Sequence, residues 1–155
     1  MRIPKALKRH WFKTSDWCRE IPEHRKCGHT RCIEVPLDGG GLNAALEAFQ
    51  LPPKPEALIE VSAKRAQEIL ILLLWKDLAY GGEIMPQKTA QKLAHEFVST
   101  GETHEALFFS NADWPAHLRR PNSYPFTGLT DATFDGGVIA LGKTVASCVW
   151  IEDED

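Results

Sequence analysis

The chain has 155 residues, 43% of them hydrophobic, and a formal net charge of −3. That length supports one domain, 1–155, with a real core, and the composition is globular, which excludes a disordered or low-complexity chain. The basic stretch Met1 to Lys13 lacks the apolar run of a secretory signal, so a cytoplasmic protein without a membrane partner is expected.

Residues 1–35 form a basic N-terminal segment with nine Lys/Arg against four Asp/Glu, and residues 36–155 form an acidic globular body with nine against seventeen. The unequal charge fits a head that folds back on its own body, or an arm for nucleic acid. Ile3, Leu7, Trp11 and Phe12 fall near helical spacing, and Trp17 follows. Read as an arm, Trp11 and Trp17 would stack on bases while Lys and Arg hold phosphates. Cys18, Cys27 and Cys32 come next, with His24 and His29 among them. In a reducing compartment these thiols and Cys148 are free or metal ligands. A zinc knuckle from Cys18, Cys27, His29 and Cys32 has the right donors but lacks the second tight pair that such sites use. No stoichiometric zinc and no cofactor are expected. Cys32 to Val35 reads as a short strand.

Asp38-Gly39-Gly40-Gly41 is a turn without the Lys-Ser/Thr pair of a phosphate loop. Leu42 to Phe49 reads as a two-turn helix, and Leu51 to Pro55 as a stiff connector. Ala57 to Val61 reads as a short strand ending at Ser62. From Ser62 to Tyr80 the sequence predicts a central helix. Ser62 supplies a hydroxyl cap and Gly81-Gly82 a stop. Its centre, Ile69 to Trp75, is apolar on every side, as in a buried core helix, and is too short to span a bilayer. A second helix is expected from Pro86 to about Thr100, ended by Gly101. Ala90, Leu93, Ala94, Phe97 and Val98 make its apolar face, antiparallel to the first. His95 beside that face reads as structural.

Ala106 to Ser110 reads as a buried strand. Asn111 to Thr130 is a proline-rich loop long enough to suggest a functional role. Asp131 to Asp135 leads through Gly136-Gly137 to a strand over Val138 to Leu141. A Gly142-Lys143 turn follows, then a strand from Val145 to Ile151 that is apolar on both faces and so interior to its sheet. Glu152 to Asp155 form an acidic tail. The expected fold is α+β: a central buried helix and a second antiparallel helix packed on a small C-terminal antiparallel sheet.

Asp113, Asp131 and Asp135, with Glu83, are candidates for a metal-dependent hydrolase, although aspartates beside Pro and Gly commonly form turns. Cys148 lies among apolar residues that make a thiol inert. No G-x-S-x-G elbow and no dinucleotide fingerprint appear. The loop does carry residue types that anchor interfaces: Trp114, Arg119, Arg120, Tyr124 and Phe126. With Glu152, Asp153, Glu154 and Asp155 they make the expected partner-binding set. The run from Ile69 through Phe134-Asp135-Gly136-Gly137-Val138-Ile139 to Trp150-Ile151-Glu152-Asp153-Glu154-Asp155 resembles small bacterial immunity proteins in size, acidity and layout. The resemblance implies a non-enzymatic domain that binds and inhibits a cognate protein toxin. The alternatives are a nucleic-acid-binding protein using residues 1–35 and the hydrolase.

Overall fold

Among the described residues, five strands form one antiparallel sheet in the order β1-β5-β4-β3-β2, with helices on both of its faces. The computed structural model describes residues 13–37, 39–115 and 127–154. The expected helix over Ile3 to Phe12, the residues Arg119, Arg120, Tyr124 and Phe126, and Asp155 lie outside them. The strands are β1 (His29–Pro36), β2 (Ile59–Val61), β3 (Leu107–Ser110), β4 (Phe134–Leu141) and β5 (Val145–Asp153). The helices are α1 (Asp16–His24), α2 (Leu42–Ala48), α3 (Ala63–Trp75) and α4 (Gln87–Thr103), with a 3-10 turn at Pro55–Ala57. The fold class is α+β, as the sequence predicts. Among the described residues, no helix is long and apolar enough to cross a membrane.

Alternation along β4 and β5 builds two cores. Val138, Ala140, Val149 and Ile151 face α1, α3 and α4. Ile139, Ala146, Cys148 and Trp150 face α2 and the segment after it, through Ala45, Leu46, Phe49 and Leu51. β5 lies between β1 and β4, so its apolar character on both faces is accounted for. The sheet is not C-terminal alone, because β1 and β2 come from the first half of the chain.

α1 is not among the helices expected from the sequence, and it contains Pro22, which lacks the N–H that would reach the Cys18 carbonyl. Tertiary contacts supply what local sequence does not. The buried Glu34 carboxylate of β1 accepts the Ser15 N–H at 2.6 Å and the Ser15 hydroxyl at 2.9 Å, placing negative charge at the helix N-terminus. Trp17 packs edge-on against Phe97 at 4.9 Å, and its indole N–H donates to Thr100 Oγ1 at 3.3 Å.

α3 begins as the sequence predicts, with Ser62 Oγ accepting the Arg65 N–H at 3.0 Å. It stops at Trp75 rather than Tyr80 because the next amides have other acceptors. Leu78 N–H goes to Asp153 Oδ2 at 2.9 Å, and Ala79 and Tyr80 N–H go to the Asp77 carboxylate. The helix is an outer layer over the sheet: Ala66, Ile69, Leu70, Leu73 and Leu74 are buried, while Ile71, Leu72 and Trp75 are half-buried. α4 runs past Gly101, which is not a stop but a close approach: a Cβ there would lie 2.8 Å from the Phe108 ring. Gly136-Gly137 likewise sits within β4, not before it. The β4–β5 turn is Lys143-Thr144, one residue later than expected, closed by Gly142 N–H to Val145 O at 3.0 Å.

Candidate partner-binding surface

Residues 111–115 and 127–135, on either side of 116–126, are joined by buried hydrogen bonds. Asn111 Nδ2 donates to Thr127 O at 3.0 Å and Asp135 O at 2.9 Å. The Asp135 carboxylate, with no solvent exposure, accepts the Leu129 N–H at 3.0 Å and also the Thr130 N–H. Trp114 Nε1 donates to Asn111 Oδ1 at 3.1 Å, and its ring lies over Gly136, where a Cβ would come within 2.5 Å of it. The described residues on either side of 116–126 are therefore tied to one buried network.

Trp114 was expected on the binding surface. It is 1% exposed, so it is a core residue that anchors the loop base and cannot reach a partner. Asp135 is also structural, because its oxygens are occupied by buried donors. Asp113 lies 3.7 Å from Arg65, and Asp131 is exposed. The hydrolase residues Asp113, Asp131 and Asp135 are not brought together: among the described residues, the only set of three His, Cys, Asp or Glu with donor atoms within 4.8 Å of one another is Cys27, Asp77 and Asp153.

Asp153 is not part of an acidic tail. It ends β5 in a buried bidentate pair with Arg25, at 3.0 and 2.8 Å, and both side chains are sealed from solvent. Arg25 also donates to Leu73 O at 2.9 Å and Cys27 O at 2.8 Å, which satisfies the guanidinium on several sides. Gly28 makes room for the pair, since a Cβ there would meet Asp153 Oδ1 at 2.4 Å. Glu152 is half-buried in β5 beside Arg31, at 3.7 Å. Glu154 is exposed and accepts the Thr133 hydroxyl at 2.6 Å. That contact sets Glu154, just past the end of β5, beside the segment that leads into β4.

The described part of the basic head folds back on the body through Arg25 and Arg31. Trp17 is 1% exposed, so it cannot stack on a base as the nucleic-acid reading required. Cys18, Cys27, His29 and Cys32 do not converge as a zinc site. Cys18 Sγ instead donates to Cys32 O at 3.2 Å. Burial, helped by Glu34, pushes the Cys18 thiol up to about 11. Burial also raises Cys32 and Cys148, and it raises Cys27 with help from Asp153 and Asp77. Thiols held protonated are poor nucleophiles. Sequence reasoning missed Arg25 and Asn111. The signal available for Arg25 was a lone arginine after a Pro-broken amphipathic turn, which nothing local pairs with Asp153. No protein-family model, curated protein or solved structure matches the chain.

Proposed function

We propose that this chain is a non-enzymatic protein-binding domain of the immunity type, which binds and inhibits a basic protein toxin. The observation that carries this reading is the juxtaposition at the open end of β4 and β5. The sequence between Pro115 and Thr127 carries interface residue types (Arg119, Arg120, Tyr124 and Phe126), and the described residues that flank it are joined by buried Asn111 and Asp135. From Thr127 the chain runs past exposed Asp131 to Thr133, which meets exposed Glu154. Exposed carboxylates steer a basic partner into place, and aromatic and arginine side chains set how long it stays. The burial of Asp135 and Asp153 supports the same reading, because it commits these two carboxylates to structure.

Growth assays test it. Each reading frame adjacent to this chain's gene is induced alone and together with this chain. One of them should arrest growth alone and cease to do so when the chain is present. The reading fails if none is toxic, or if co-expression gives no relief.

A further inference from the structure

We infer that the groove beside the β2–β3 edge is a docking site for a basic, apolar segment of a protein partner in extended conformation. The inference rests on the protein-binding reading above and locates a second contact for it. The groove, of about 420 Å³, lies where β2 turns into α3 and α4 returns to β3, and Glu60, Val61, Ala63, Glu102, Ala106 and Phe108 are among its lining. Three independent features converge on it. First, β2 is a terminal strand of only Ile59–Val61, and its ladder with β3 stops at Val61 opposite Phe108, so among the described residues Leu107 has no strand partner on that side. Second, Leu107, which lines the groove, is 51% exposed, one of the three large hydrophobics among the described residues that face solvent. Third, the charge at the groove is acidic. Glu105 is held by Lys143, but among the described residues Glu60 and Glu102 form no ion pair and no Lys or Arg lines the groove.

An edge strand is a template for an added strand, and charged side chains decide which chain it accepts. Two copies of this chain meeting edge to edge would oppose Glu60 to Glu60, a like-charge pairing that disfavours self-association. A nucleic-acid backbone is repelled by the same carboxylates. A segment that mixes lysine with leucine or valine satisfies both needs: an apolar side chain covers Leu107, and ammonium groups meet Glu60 and Glu102.

The probe is a dye-labelled heptapeptide alternating lysine with leucine or valine, its termini blocked, titrated into the full chain at low salt. The control replaces each lysine by glutamate. The lysine peptide is expected to raise anisotropy saturably and to shift backbone NMR signals of residues 59–63 and 101–108; the control should do neither. Glu60→Gln/Glu102→Gln should weaken binding about threefold to tenfold, the range for two exposed ion pairs. Leu107→Lys should abolish it, with melting temperatures of both variants unchanged. Equal binding of both peptides, shifts elsewhere, or no binding would overturn the proposal. So would a concentration-dependent dimer that Leu107→Lys disperses, which would make a second copy the occupant. If growth relief is seen but survives Leu107→Lys, the groove proposal alone falls. If the peptide binds as expected and no neighbour is neutralised, the immunity reading alone falls.

Discussion

Arg25 and Asp153 are joined across the fold by two hydrogen bonds and are closed to solvent. Removing one partner strands a charge in a medium that cannot solvate it, and such losses cost about 3–5 kcal/mol. Arg25→Met and Asp153→Asn are each expected to lower the urea unfolding free energy by that amount. Arg25→Met/Asp153→Leu should lose less than either single change, because no bare charge remains. Trp114 follows the same logic without charge. With its ring on Gly136 and its N–H on Asn111, Trp114→Ala should cost about 3–5 kcal/mol of stability. Because it is buried, the loss should appear in unfolding curves before any binding experiment.

α3 and α4 lie on the sheet at distances set by single residues. Leu73 is fully buried and Leu72 only half-buried, so Leu73→Ala should cost about 2–5 kcal/mol and Leu72→Ala distinctly less. Equal losses in calorimetry would show that α3 is wrapped on all sides after all. In α4, replacing glycine by alanine would ordinarily add about 1 kcal/mol of helix propensity. At Gly101 the new methyl meets the Phe108 ring at 2.8 Å and the Ala140 methyl at 3.3 Å. The helix would have to lift from the sheet, so Gly101→Ala should destabilise by about 1–3 kcal/mol. A higher melting temperature would refute that placement.

The whole molecule should weaken in alkali. The Cys18 thiol rises from its ordinary 9.0 to about 11 on folding, and burial raises Cys32 and Cys148 as well. Between those values the unfolded chain has released protons that the folded chain keeps, so stability is full below about pH 9 and falls as pH climbs through 11. Urea midpoints measured on both sides of pH 9 should show the fall, and Cys18→Ala should reduce its slope. Thiol labelling near neutrality should begin at Cys27, the least buried of the four cysteines, and reach Cys148 only on unfolding.

Local pattern in the sequence was sufficient for α2, β2, the Ser62 cap of α3, the apolar face of α4 and the two-sided apolar character of β5. Each depends on neighbours within a turn or on alternation along one strand. Glu34 at the start of α1, Asp153 drawing the Leu78 amide away from α3, and Trp114 seated on Gly136 depend on partners far along the chain. Periodicity carries no information about them. The candidate surface divides the same way. Residue type marked the long loop and the acidic strand end, but burial removed Trp114 and Asp153 from it. The β2–β3 groove came into view only once the strand order was known, because an edge exists only when a strand lacks a neighbour.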